Sequence, residues 1–448
     1  MTETSTGDGA ANDLERMRCS VVVVGGGQAG LSMSYCLTRR GVDHIVLERD
    51  RVGHEWRDRR WQSFCLVTPN WQCQLPGFPY AGEDPDGFMQ RDKIAHYIED
   101  YAKSFRPPVV EGVAATRLRR DRKGRYLVGT SRGELIADQV VLATGPYQVP
   151  LIPRLADRLP DDLTQLHSSQ YRSPEQLPPG EVLVVGTGQS GCQIAEDLHL
   201  AGRRVHLAVG SAPRVARFYR GRDVVAWLAD IGYYRKAVSE FADADTVRFR
   251  VNHYVTGRDG GRDIDLRAFA RQGMRLYGRL SGITNTTLRF APDLKSNLDN
   301  ADAVAESIKD SIDGYLDSHG INAPTEPRYT PVWVPEHEPT ELPLESVTSV
   351  IWSTGFGRDD RWIEVPVFDG RGYPTHDRGV TVSPGLYFLG LPWQHTWGSG
   401  RLSGVAGDAD YLAQRITTGY DHVFRWIAGT STNTYPRDDD WVAPRTVA

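Results

Sequence analysis

The chain has 448 residues, 40% of them hydrophobic and 24% charged, the balance of an ordinary globular enzyme large enough for two domains with cores of their own. A formal net charge of −5, with no basic run interleaved with aromatic residues, speaks against a nucleic-acid-binding protein. No apolar run approaches the ~20 residues of a membrane span, so the expected location is the cytoplasm.

Residues 1–16 are polar and rich in Thr, Ser, Gly and Asp, which predicts a disordered lead and not a signal peptide. The valine run Val21–Val24 then reads as a buried parallel strand entering Gly25-Gly26-Gly27-Gln28-Ala29-Gly30, a Gly-x-Gly-x-x-Gly turn. In such a turn the first two glycines let the backbone bend and approach a pyrophosphate, and the third admits close helix packing. The phosphates sit on the following helix N-terminus. A second strand over His44–Asp50 places Glu48 at 23 residues beyond Gly25, where a carboxylate accepts ribose hydroxyls; Arg49 follows it. This half fits FAD or NAD. Its last strand, Gln139–Leu142, ends sharply in Ala143-Thr144-Gly145-Pro146.

The same turn recurs 161 residues later, behind Val182-Leu183-Val184-Val185, as Gly186-Thr187-Gly188-Gln189-Ser190-Gly191. Here the position 23 residues on is Val209, and Ser211, Arg214, Arg217, Arg220 and Arg222 follow. A serine with a cationic cluster suits a 2′-phosphate through charge-assisted bonds, with Arg214, nearest the strand end, as the leading contact. FAD is therefore assigned to the first turn and NADPH to the second. Val350–Gly355 repeats the earlier strand ending as Ser353-Thr354-Gly355 and marks the return to the first domain.

Prolines at 146–160 and 174–179 mark one crossing between the domains, and those at 324–343 the other. The expected fold is α/β, with two Rossmann-like dinucleotide-binding domains and the NADPH domain inserted in the FAD domain. The FAD domain takes 17–172 and 340–448, and the NADPH domain 173–339. Within the latter, 218–283 is an added subdomain whose Tyr233, Tyr234, His253 and Tyr254 form either a substrate wall or a plain surface. An amphipathic helix is predicted over 293–316, with Ala301, Val304, Ile308, Ile312 and Leu316 on one face. Further on, Gly385–Gly390 reads as a buried strand ending at Gly390, and Gly398–Tyr411 as a glycine-rich turn opening a helix. That helix start is expected to face a flavin, Leu402 and its neighbours offering backbone contacts. The five cysteines, Cys19, Cys36, Cys65, Cys73 and Cys192, form no Cys-x-x-Cys pair and read as small buried residues, not a redox relay.

His167-Ser168-Ser169-Gln170-Tyr171, between the two turns, together with Ala143-Thr144-Gly145, resembles the class B flavin-dependent monooxygenases. Their signature is Phe-x-Gly-x-x-x-His-x-x-x-Tyr/Phe, with a final Trp in Baeyer–Villiger members. His167 and Tyr171 match, whereas Asp161 and Leu163 stand in the Phe and Gly positions. Gly53-His54-Glu55-Trp56 is similar to the family's Gly-Gly-x-Trp beside the flavin, and Leu66–Pro76 to a flavin-front segment of YUCCA-type and bacterial CzcO-like proteins. The resemblance implies that NADPH reduces FAD, that dioxygen then forms a flavin C4a-hydroperoxide, and that one oxygen passes to a small nitrogen- or sulfur-containing nucleophile. Baeyer–Villiger or oxidative decarboxylation, and a reductase or oxidase without oxygenation, stay as alternatives. It also implies a peroxide-facing donor at Asn70, which is equally a good turn residue after Pro69, and a signature role for His167 that is catalytic or that of an interdomain hinge. Molecular oxygen and a small molecule are the implied partners; the oligomeric state, a homodimer included, is open.

Overall fold

The computed structural model describes Leu14 and residues 17–428. The first sheet is built around β1 (Arg18–Val24), which runs into α1 (Gln28–Arg39), with β2 (His44–Leu47) and β3 (Val109–Val110) on one side. On the other side lie β4 (Gly133–Leu142) and a late strand, Leu386–Phe388, all parallel. Val24 is in register with both Leu47 and Leu142. The valines are buried on both faces: α1 and the C-terminal helix cover one, and an antiparallel meander, Ala115–Arg120 with Tyr126–Thr130, extends β4. A near-continuous apolar strand is what burial on both faces demands. Of the lead, only Leu14 falls within the described residues, and it is buried in the core of this unit.

The chain leaves this sheet after β4 through β5 (Val149–Pro150) and builds a second, wholly parallel sheet. Its strands are β6 (Thr164–His167), β7 (Glu181–Val185), β8 (Val205–Ala208), β9 (Arg275–Tyr277) and β10 (Val347–Trp352), with α2 (Gln189–Leu200) following β7. The strand order is β6-β10-β7-β8-β9. The chain returns through β11 (Phe356–Gly357), which pairs antiparallel with β5, and later contributes β12 (Leu386–Phe388) and α3 (Val405–Ala428) to the first unit. The second unit is thus continuous in sequence and the first is split around it.

Two expected boundaries move. β6 and β10 lie in the second sheet although 164–167 and 347–352 fall outside the expected 173–339. The crossings are β5, within the expected proline stretch 146–160, and β11, whereas the prolines of 174–179 and 324–343 lie within the second unit itself. The expected subdomain 218–283 is also too long, since the helix Leu266–Arg271 and β9 belong to the second unit's own core and sheet. The predicted amphipathic helix forms over Leu294–His319 and buries Ala301, Ile312 and Leu316. Among the described residues no helix is long and apolar enough to cross a membrane.

Candidate functional site

The two glycine turns are closed in the same way. Gly25 (φ 108°) and Gly186 (φ 102°) adopt left-handed backbone that a side chain resists. A Cβ on them would lie 2.4 Å from the Ala143 carbonyl oxygen and 2.7 Å from that of Ser353. Each first glycine therefore lets its turn lean on the end of the neighbouring strand, at the two Thr-Gly sequences. The third glycines are just as constrained: a Cβ on Gly30 would come 1.8 Å from the Gly25 oxygen, and one on Gly191 2.0 Å from that of Gly186. The middle glycines differ. A methyl on Gly27 would meet nothing within 4 Å, and one on Gly188 only Val251 at 3.9 Å. Open space before the N-terminus of α1 and of α2 is what a dinucleotide pyrophosphate needs.

At the first turn, Glu48 accepts from the Gly26 amide at 2.7 Å and from the Asp50 amide at 2.9 Å, which fixes its carboxylate at the strand end. Arg49 is exposed beside Asp50 and Glu55. The loop before α3 is held against this turn: Gln28 donates to the Gly400 carbonyl at 3.1 Å, and the Leu402 carbonyl accepts from the Gln74 amide at 3.0 Å. Gly390 (φ 89°) and Ala29 are packing partners, since a Cβ on Gly390 would lie 2.9 Å from that of Ala29. Gly145 and Gly355 also have left-handed φ with open space ahead. Thr144 accepts from Gln148, and Thr354 donates to the Leu151 carbonyl, so both Thr-Gly ends are tied to the β5 crossing. Trp56 is half-buried, with the Arg60 guanidinium 5.4 Å from its ring centre. These residues fit FAD.

At the second turn, Gln189 donates to the Val255 carbonyl, Ser190 is half-buried and Ser211 is exposed. The glycines and the helix start fit a nicotinamide dinucleotide. The arginine cluster, however, is committed elsewhere. Arg214 is 4% exposed, pairs with Asp302 at 2.6 Å and stacks on Tyr329 at 3.9 Å. Arg217 holds Asp223 at 2.6 Å and the Val67 carbonyl, Arg220 holds Asp313 and Arg222 holds Asp230. The expected Arg214 contact is corrected accordingly: a buried guanidinium already neutralised by a carboxylate is not presented to a 2′-phosphate.

Three further expectations meet the geometry. The His167 ring is fully buried, donates from Nε2 to the Gly355 carbonyl at 3.0 Å, lies 3.0 Å from Ser169 Oγ and packs edge-on against Phe356. Burial lowers its pKa, and its two ring nitrogens, engaged by Gly355 and Ser169, join β6 to the β11 crossing. Tyr171, also buried, donates to Asp197 at 2.7 Å. Asp197 in addition accepts from Ser63 at 2.6 Å and pairs with Arg258 at 2.8 Å, so one carboxylate of α2 gathers both units. Sequence reasoning passed over Asp197; its signal was the adjacent Glu196-Asp197 pair, the sole acidic residues of α2. Asn70 is 3% exposed, donates to the Asp84 carbonyl at 2.9 Å and accepts from the Met89 amide at 2.8 Å. Its amide organises the loop, which corrects the expected peroxide-facing role.

All five cysteines are free and buried. Burial raises the thiol pKa of Cys36 and Cys73 to about 12 and that of Cys192 well above its ordinary value. Thiolates, the reactive form, are thus suppressed at these positions.

The family model for pyridine nucleotide-disulphide oxidoreductases matches residues 22–257. The chain is 34% identical over 399 residues to an uncharacterized CzcO-like oxidoreductase of Geobacillus kaustophilus, covering 88% of this chain and 97% of that protein. It is 33% identical over 197 residues to the indole-3-pyruvate monooxygenase YUCCA1 of rice, Oryza sativa subsp. japonica, covering 43% of this chain and 48% of that one. Among solved structures, a flavin-containing monooxygenase from Stenotrophomonas maltophilia aligns with a TM-score of 0.63 at 20% identity, over 90% of this chain and 99% of that one. With its two dinucleotide turns, the chain belongs to the pyridine nucleotide-disulphide oxidoreductase family, as a CzcO-like oxidoreductase.

Proposed function

We propose that the protein is a cytoplasmic monooxygenase that transfers one atom of dioxygen to a small nucleophilic nitrogen or sulfur compound. The split unit holds FAD through Gly25, Gly27, Gly30 and Glu48, and the inserted unit holds NADPH through Gly186, Gly188 and Gly191. The observation that carries this reading is the pairing of two open dinucleotide turns, linked across the units by Asp197, with five buried thiols unable to relay electrons to a disulfide. When bound, FAD and NADPH supply the redox chemistry: two electrons from the dinucleotide reduce dioxygen, one oxygen joins the substrate and the other leaves as water. The chain binds and orients these groups and keeps water from the reacting centre. The likeness to an indole-3-pyruvate monooxygenase supports a second reading, in which the acceptor is a 2-oxo acid that loses carbon dioxide.

The test is turnover with NADPH under ¹⁸O₂ against a panel of amines, sulfides, ketones and 2-oxo acids, followed by mass spectrometry. One labelled atom in an N-oxide, hydroxylamine or sulfoxide is the expected result. Quantitative appearance of NADPH consumption as hydrogen peroxide with every compound would overturn oxygenation in favour of an oxidase.

A further inference from the structure

With Arg214, Arg217, Arg220 and Arg222 each paired to a carboxylate, a cation that serves the second glycine turn has to come from elsewhere in the fold. The segment 250–255 borders that turn. The Tyr254 amide donates to the Pro213 carbonyl at 2.9 Å, and Tyr254 forms a parallel bridge with Arg214, so 250–253 and 210–213 lead into one contact from the same direction. Gln189 and Gln193 of α2 hold the far end, both donating to the Val255 carbonyl. Nearer the start, Val251 is the one side chain within 4 Å of a Cβ placed on Gly188, at 3.9 Å. The Gly210 amide in turn donates to Thr187 Oγ1 at 3.0 Å. The segment thus lies along both the middle glycine and the stretch after β8 that carries Ser211.

Arg250 stands at the start of this segment and is exposed. Among the described residues it has no carboxylate within salt-bridge distance, whereas Asp245, five positions away, is taken by Arg248 at 3.5 Å and by Arg371 at 2.9 Å. The groups on which its charge acts are neutral: His253, whose pKa burial and this guanidinium lower to about 4, and the Tyr233 phenol, which also faces Arg401. Arg401 is the second cation on this side and likewise has no carboxylate partner among the described residues. Its Nη2 donates at 3.0 Å to Oδ1 of Asn252, and it also bonds the Trp397 carbonyl. One guanidinium is therefore fastened to the segment from the first unit, and the other extends from the segment's own start. A guanidinium stays charged in proteins, and two such charges without a counter-ion repel each other, which an anion beside them relieves.

We propose that Arg250 holds a phosphate group of NADPH at the second turn, an inference that rests on the NADPH reading of that turn and adds to it the residue that meets the nucleotide's charge. The segment borders both phosphate positions of such a nucleotide. The diphosphate belongs over the middle glycine, which Val251 flanks, and the 2′-phosphate beside the residues that follow the second strand, along which 250–253 runs. A planar guanidinium meets either group by charge-assisted hydrogen bonds. Arg401 and Asn252 are positioning residues: their bond ties the segment to the loop before α3, so a contact made by the second unit is set by the first.

The experiment is calorimetric titration of the oxidised, FAD-loaded enzyme with NADP⁺ and with NAD⁺, for the parent, Arg250→Gln, Arg250→Lys and Arg248→Gln. Because Arg250 is exposed and has no ion-pair partner, its variants keep the flavin content and melting temperature of the parent. Arg250→Gln binds NADP⁺ about 10- to 100-fold more weakly, the range of a charge-assisted bond, and Arg250→Lys recovers part of the loss through its charge. Arg248→Gln makes the same change of net charge two positions away, and stays within about two-fold of the parent because its guanidinium already serves Asp245. A loss confined to NADP⁺ places Arg250 on the 2′-phosphate, and an equal loss for NAD⁺ places it on the diphosphate. The anchor is overturned if Arg250→Gln binds NADP⁺ as tightly as the parent, or if Arg248→Gln loses as much. A parent that binds neither nucleotide removes the NADPH reading and the anchor with it, whereas unchanged NADP⁺ binding in Arg250→Gln removes the anchor alone.

Discussion

Arg214 shows how one side chain changes meaning with burial. As a sequence position it is a cation after a strand that lacks the acidic residue; in the fold it is the counter-ion of Asp302, stacked on Tyr329, with Asp263 at 3.8 Å. Removing one partner of a buried pair leaves an uncompensated charge, which costs about 3–5 kcal/mol. Arg214→Ala is therefore expected to lose stability on that order in urea unfolding and to leave the ratio of NADPH to NADH affinity unchanged. A selective loss of NADPH affinity at full stability would restore the phosphate role. Glu48 was legible because its spacing from Gly25 is a backbone property of the turn, and its bond to the Gly26 amide follows from that spacing. The partners of Arg214 were not legible: Asp302 lies on a helix 88 positions along the chain, and no local pattern announces an ion pair at that distance.

At the level of the elements, the glycines of one turn have separable duties. Gly27 has ordinary φ of −76° and free space ahead, so Gly27→Ala folds with a melting temperature close to that of the parent, yet its methyl occupies the pyrophosphate position and the purified protein is colourless. Gly30→Ala meets the Gly25 carbonyl at 1.8 Å and forces α1 away from β1, so the expected outcome is loss of soluble, folded protein. Equal flavin content in Gly27→Ala and the parent would show that the pyrophosphate does not lie over this turn. Strands and helices were legible in this part of the chain because two-sided burial writes itself as an apolar run and the helix start as glycine. β5 falls in the expected proline stretch 146–160, whereas the return crossing was misplaced because proline marks any irregular loop. β5 and β11 are only two residues each and carry too little pattern to compete with the richer proline runs at 174–179 and 324–343.

For the whole molecule, Asp197 is the point at which both units meet. It takes Ser63 from the first, Arg258 and its own helix from the second, and Tyr171 from between β6 and β7. Tyr171→Phe removes a hydrogen bond to a charged acceptor, worth about 1.5–3 kcal/mol, and is expected to lower unfolding stability by that amount while flavin reduction by NADPH stays within a few-fold of the parent. A drop in reduction rate of a hundred-fold or more at unchanged stability would instead place Tyr171 in the chemistry. The family was legible from two turns and a linker signature; the Asp197 junction was not, because Ser63, Tyr171 and Arg258 come from distant segments and meet only across the units. The interrupted wiring of the first sheet also dictates an order of assembly. Leu142 pairs with Phe388, which leaves the ribosome only after all of the second sheet, from Thr164 to Trp352, has been made. Vectorial synthesis thus lets the inner unit, whose pairings are uninterrupted, fold first. The outer sheet, with its long loop to close, is completed last, around a partner that is already formed.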